Sequence, residues 1–208
     1  MGAQVHVSED WPGFGPQKNR VLDLASQPWV FSIDADERVT PELQAEIIRT
    51  LRAPAFDSYR VARLSEFCGK PIRHSGWWPD YVVRLFRRGI CRFNDAAVHE
   101  RVDARCAIGQ LDYWLLHFPF ENLNMLVAKI NRYSSEAALV MAAKGKQSGV
   151  LSAMGHCVWT FIRIYVLKLG FMDGRHGFVL AMAAAFGSFL RYSKLMFINR
   201  RKKEGRVK

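Results

Sequence analysis

Residues 29–37, WVFSIDADE, decide the fold class of this 208-residue chain. WVFSI is a continuous apolar run of strand-forming residues, the pattern of a strand buried on both faces of an α/β sheet. It ends in the acidic cluster Asp34-Ala35-Asp36-Glu37. In open α/β sheets, ligands bind beyond the carboxyl ends of strands. Two carboxylates one residue apart at such an end can share a hard divalent cation, Mg²⁺ or Mn²⁺, with a diphosphate, because these ions favour oxygen ligands. The bare Asp-x-Asp pattern also fits a solvated acidic turn. The strand before it and the helix start after it favour the ligand-binding reading. That helix start is Thr40 as N-cap, Pro41 at the first helical position, and Leu43, Ile47 and Leu51 on one face, with a stop before Pro54.

Upstream, GAQVHV reads as a short strand with Val5 and Val7 on one face. The Gly/Pro-rich loop WPGFGPQKN follows, then a helix carrying Val21, Leu22, Leu24 and Ala25. Downstream, residues 57–117 alternate short β-type runs with turns: SYRVARL, YVVRLFRR, CRFN, AVHERV and LDYWLLHF. Helical spacing returns over 121–144 through Leu123, Leu126, Ile130, Tyr133, Ala137 and Met141, and residues 144–149 read as a hinge.

The last sixty residues differ in character. Residues 150–169 are rich in Trp, Phe, Ile, Val and Leu but are interrupted by Arg163 and Lys168. Residues 177–190 are an uncharged run of 14, short for a span that needs about 20 apolar residues. Phe178, Met182, Phe186, Phe189, Ser193 and Met196 share one helical face, and the chain ends in NRRKKEGRVK, with six basic residues and one acid. An amphipathic helical hairpin with a basic tail suits the membrane interface. A helical pair packed on the core is the competing reading, and the basic tail tips the balance to the membrane.

Half of the residues are hydrophobic, so the chain can bury a core, and its net charge of +11 favours an acidic partner. No nucleic-acid-binding module is visible, and the basic residues gather beside apolar helices, so nucleic acid is not expected as a partner. Cys68, Cys91, Cys106 and Cys157 form no zinc-spaced cluster and read as reduced cytosolic thiols. The opening residues carry no apolar leader.

Several segments together resemble family 2 glycosyltransferases. WVFSIDADERVTPEL looks like their metal-binding segment, DWPGFGPQKNRVLDLA like their upstream loop and helix, and GWWPDYVVRLFRR with FNDAAVHERV like their acceptor-side half. The lipopolysaccharide core branch is the best match, over about residues 5–194. The resemblance implies an incomplete GT-A (Rossmann-like) nucleotide-diphospho-sugar transferase fold over residues 1–144. Residues 145–208 would be a C-terminal amphipathic helical hairpin with its basic tail. The family's first two strand-helix units have no counterpart before the point where this sequence opens.

The roles implied are residue by residue. Asp36 is the metal ligand, with Asp34 beside the ribose or the metal. Lys18 and Asn19 lie near the nucleotide. Glu100, in VHE, is the general base that takes the acceptor's proton as the sugar inverts, with His99 able to orient it and Asp95 the other candidate. Trp77, Trp78, Asp80 and Arg84 belong to the acceptor side, where an indole face suits a sugar ring and a guanidinium suits a phosphate. Strand alternation puts Arg84 and Arg88 on one face and Arg87 on the other. The activity implied is transfer of a hexose, glucose by the branch, from a UDP-sugar to a lipid-linked saccharide acceptor. It would take place at an anionic membrane surface, the cytoplasmic face of the bacterial inner membrane. The alternative is a catalytically impaired, membrane-associated saccharide-binding fragment.

Overall fold

The structure, a computed structural model, describes residues 2, 4–94, 102–104, 106–120 and 122–204. It divides into two units, Met1–Arg63 with Asp80–Leu116, and Leu64–Pro79 with His117–Lys208.

In the first unit, helix α1 (Phe14–Leu24) leads to strands β1 (Trp29–Phe31) and β2 (Glu37–Val39) and helix α2 (Pro41–Arg52). β3 (Ser58–Phe67) starts here and ends in the second unit, where it turns into β4 (Lys70–Pro71). β5 (Asp80–Arg87) returns to the first unit, a small ribbon β6 (Cys91–Phe93) and β7 (Val102–Ala104) follows, and β8 (Ile108–Phe120) begins in the first unit and ends in the second. The sheet runs β1-β5-β3-β8-β2. β5 is antiparallel to both β1 and β3, with Phe31 opposite Leu85 and Arg63 opposite Asp80. Leu43 of α2 is buried against Tyr59, Val61, Leu85, Leu111 and Leu115, with Ile47 and Leu51 packed alongside, so the apolar face expected of α2 is the face that meets the sheet.

Three expectations change. Residues 4–8 form no strand, and Val5 and Val7 stand 82% and 89% exposed, because their two-residue alternation finds no partner strand among the described residues. WVFSI is not a strand buried on both faces. Only Trp29–Phe31 are strand, all three half-buried, and Ile33 is 45% exposed. β1 is hydrogen-bonded to β5 alone among the described strands, so its other edge has no described strand beside it. Helix α1 begins earlier than its apolar spacing suggests, at Phe14, since Pro16 is tolerated in a first turn.

The second unit is mainly helical: α3 (Leu123–Ala143), α4 (Val150–Ile162) and α5 (Gly174–Lys203). The last turn of α4 widens into a π-helical segment, Arg163–Leu167, and a short 3₁₀ turn, Gly170–Asp173, leads into α5. α3 packs on α5 through Ala138, Ala142 and Leu195, and both helices lie in the second unit. Lys194 ties the pair together: its ammonium, with three N–H donors, lies 2.8–2.9 Å from the Asn131 carbonyl and side-chain oxygens and the Ser134 and Ser135 hydroxyls. Gly177 lets α5 meet the preceding turn, since a Cβ there would lie 1.8 Å from the Gly170 carbonyl oxygen.

Of the six residues expected to form a stripe on α5, Phe178, Met182 and Phe186 are each about half exposed, while Phe189, Ser193 and Met196 are of intermediate burial. Residues Val150–Leu167 are long and apolar enough, by length and composition only, to cross a membrane, and 6% of that stretch is buried.

The same unit holds the loop that carries Trp77 and Trp78. The buried carboxylate of Asp173 accepts from the Arg73 and His74 backbone N–H groups and from the Ser75 hydroxyl at 2.8–3.1 Å. Ser75 N–H in turn donates to the Lys168 carbonyl at 2.9 Å. These bonds pin the loop to the turn before α5.

Candidate active site

The geometry at the end of β1 follows from strand register. Because Phe31 pairs with Leu85, Ser32 N–H donates to the Arg84 carbonyl at 2.8 Å, and the acidic cluster emerges beside the Arg84 side chain. A turn follows, with Glu37 N–H donating to the Asp34 carbonyl at 3.0 Å. The Glu37 side chain reaches back, and its Oε2 accepts from Asp34 N–H at 3.0 Å.

The result is a chain of alternating charge. Lys18 Nζ donates to Asp34 Oδ1 at 2.8 Å, and Arg84 Nη2 donates to Asp34 Oδ2 and to Glu37 Oε1, both at 2.5 Å. Arg63 Nη1 lies 3.5 Å from Glu37 Oε1, and Arg63 Nη2 donates to Asp80 Oδ2 at 2.5 Å. Glu37 and Arg84 are buried; the others are partly exposed. Arg84 Nε is buried with no hydrogen-bond partner among the described residues, a cost of about 1–3 kcal/mol unless a ligand supplies one. Lys18, Asp34, Arg63, Asp80 and Arg84 line one cavity of about 810 Å³, with Tyr81 and Phe93 among its walls. That volume suits a ligand larger than a simple ion.

Burial pushes the Asp34 carboxyl up, but hydrogen bonding from Lys18 and the charge of Arg84 together outweigh it and hold the group below the usual carboxylate range. Burial also works against the Arg84 charge, and Glu37 and Asp34 outweigh it in turn. A carboxyl whose pKa is lower folded than unfolded stabilises fully above its unfolded value, about 3.9, and loses that effect as pH falls through the folded value. Stability should therefore show no Asp34-dependent loss from pH 7 to 5 and should decline below about pH 4. Urea denaturation at stepped pH should show a smaller acid-side decline for Asp34→Asn than for the unaltered chain.

The candidate residues fall into distinct surroundings. Both polar atoms of the Asn19 amide are engaged by the Phe93 backbone, at 2.8 and 2.9 Å, so Asn19 fixes α1 to β6. Lys18 lines the cavity and its ammonium lies 5.2 Å from the Phe93 ring centre. Arg84, assigned by resemblance to the acceptor, sits between Asp34 and Glu37. Asp36 is exposed at the turn. In the second unit, Trp77 packs half-buried against Phe67 and Phe120, at 6.3 and 6.1 Å between ring centres, and the Arg73 guanidinium lies 5.8 Å from the Trp78 ring. Glu100, His99 and Asp95 lie outside the described residues.

Sequence reasoning missed two members of the cluster. Glu37 had a signal, an acid three residues after Asp34 across a turn. Arg63 had none, because its partner Asp80 is set by the pairing of β3 with β5.

Among the described residues, no group of three or more His, Cys, Asp or Glu is placed to hold a metal ion. Each Asp34 oxygen is already engaged by a cation, and Asp36 is exposed at the same turn. That donor set suits an ion taking one carboxylate here and completing its shell with phosphate oxygens and water, as Mg²⁺ does, and not an all-protein cage.

The architecture is that of a Rossmann-like glycosyltransferase with a C-terminal helical segment. No family model matches the chain. It is 32% identical over 196 residues to the lipopolysaccharide core biosynthesis glycosyltransferase LpsC of Rhizobium meliloti, covering 90% of this chain and 70% of LpsC. Uncharacterized glycosyltransferases of Rickettsia prowazekii and Rickettsia felis are each 29% identical over 94% of this chain, with 70% and 73% of their own lengths covered. The chain belongs to the same glycosyltransferase family as LpsC, and as a glycosyltransferase it takes a sugar donor and a saccharide acceptor.

Proposed function

We propose that the chain is an inverting, family 2 hexosyltransferase that moves a hexose, glucose by its resemblance, from a UDP-sugar to a lipid-linked saccharide of the lipopolysaccharide inner-core type. The observation that carries this reading is the cavity of about 810 Å³ beyond β1, lined by Lys18, Asp34, Arg63, Asp80 and Arg84. Arg84 Nε, buried and without a hydrogen-bond partner among the described residues, is a donor suited to a diphosphate oxygen. Asp36 would hold Mg²⁺ or Mn²⁺, which when bound neutralises charge developing on the departing diphosphate.

The chain's own residues carry the rest. Arg84 and Lys18 orient the Asp34 carboxylate toward the donor, and Arg84 and Arg63 add positive potential where the leaving group gathers negative charge. Glu100 removes the proton from the acceptor hydroxyl. The acceptor oxygen bonds to the anomeric carbon as the bond from that carbon to the diphosphate breaks, so the sugar inverts and UDP leaves. Trp77, Trp78 and Asp80 serve the acceptor: the indoles through flat apolar faces, Asp80 as an acceptor of sugar hydroxyls. The exposed apolar residues of α5 and the exposed face of α4 favour attachment to an anionic membrane, which is where a lipid-linked acceptor resides.

Calorimetric titration with UDP, with and without Mn²⁺, tests the donor half. Saturable binding strengthened by Mn²⁺ is expected. Absence of UDP binding would overturn the transferase mechanism in favour of a saccharide-binding chain without a working donor site.

A further inference from the structure

A second cavity lies wholly within the helical unit. It holds about 340 Å³ and is lined by residues of α3, α4, the π-helical segment and α5. Three cations line it: Lys129 on α3, Arg163 at the start of the π-helical segment, and Arg191 on α5. No carboxylate is among its described lining residues. Arg163 and Arg191 are exposed and make no ion pair with a described carboxylate. Lys129 holds its ammonium 4.8 Å from the Phe120 ring centre, which leaves its charge uncompensated by any described acid. Ile130, Ile164 and Ala184 supply apolar wall beside these charges.

Three like charges around one small cavity repel one another unless an anion sits among them. The position of Arg163 adds a separate clue. The α-helix widens to a π-helical turn where this arginine interrupts the apolar run, and such turns recur at functional sites. The surroundings decide the kind of anion. The same helices expose Leu151, Trp159, Met182 and Phe186, with 88%, 54%, 49% and 48% of their surfaces open, an apolar face of the sort that marks a membrane contact. A ligand with a phosphate among the cations and hydrocarbon along the wall satisfies both features.

We infer that this groove binds the phosphate headgroup of a single anionic phospholipid of the bilayer. Guanidinium groups of Arg163 and Arg191 take the phosphate oxygens in their planar forks, and the Lys129 ammonium adds a third charge. The volume is of the order expected for a small-ligand site, about 300–1,000 Å³. The site is distinct from diffuse attraction of the C-terminal basic tail to a charged surface, which any anionic lipid satisfies and which salt screens. It does not depend on the sugar-transfer reading, since none of its cations has a role there.

Short-chain lipid below its micelle concentration separates the groove from the surface effect. Calorimetric titration of the full chain with monomeric dihexanoyl phosphatidylglycerol should show saturable binding of one molecule per chain. Arg191→Gln and Arg163→Gln should each weaken it at least about tenfold, with helical circular dichroism unchanged. Arg163→Lys should recover only part of the loss, because it restores charge without the fork. Arg201→Gln in the basic tail should leave the affinity unaltered. Dihexanoyl phosphatidylcholine should bind at least about tenfold more weakly than the glycerol lipid. The inference is overturned by non-saturable binding, by equal losses for Arg191→Gln and Arg201→Gln, or by inorganic phosphate alone binding as tightly as the lipid.

Discussion

Replacing Arg84 by methionine is expected to cost about 3–5 kcal/mol of stability. The reason is what it leaves behind. Glu37 is fully buried, and its Oε1 takes its closest hydrogen bond from Arg84 Nη2. Without that guanidinium, the carboxylate keeps, among the described residues, the Asp34 N–H and an Arg63 nitrogen 3.5 Å away. A buried charge that has lost its closest partner is far more costly than a well-packed apolar pair in the same space. The double variant Arg84→Met/Glu37→Leu should therefore recover a large part of the loss. Urea denaturation of the two single variants and the double variant measures the coupling. A loss below about 1 kcal/mol for Arg84→Met would mean that water already solvates Glu37.

Asp36→Asn is expected to act on the reaction instead. The residue is exposed, so the unfolding free energy should stay within about 0.5 kcal/mol of the unaltered protein. Transfer of labelled hexose from a UDP-sugar to a lipopolysaccharide acceptor should fall about 10²–10³-fold, the scale of losing one preorganised contact to developing charge. Asp34→Asn differs in kind. It weakens the bonds to Lys18 and Arg84, so stability and transfer should decline together. Retained transfer by Asp36→Asn would remove Asp36 from the donor site.

Local patterns were legible in the sequence, and pairings between distant segments were not. Thr40 and Pro41 announced α2, and the Thr40 hydroxyl accepts from Leu43 N–H as a cap should. The acidic cluster after an apolar run marked the place where the candidate site forms. The alternation that put Arg84 on one face of β5 could not show that this face meets Asp34 and Glu37, because the register of β1 on β5 sets that contact. Arg63 escaped notice for the same reason. Asn19 was expected near the nucleotide by resemblance alone, and its amide is engaged by the Phe93 backbone, a partner 74 residues away. Val5 and Val7 misled because alternation reports a face and not a neighbour. WVFSI misled because apolar content does not tell a strand with two neighbours from one with a single described neighbour.

The bonds converging on Asp173 have a mechanical consequence. One carboxylate gathers two backbone amides and a hydroxyl from residues 73–75, while Lys70 grips the Asp173 carbonyl at 2.9 Å. The loop bearing Trp77 and Trp78 and the turn opening α5 thus behave as a single rigid strut. A push at either end is felt at the other, and a substitution in the turn will read out as displaced indoles.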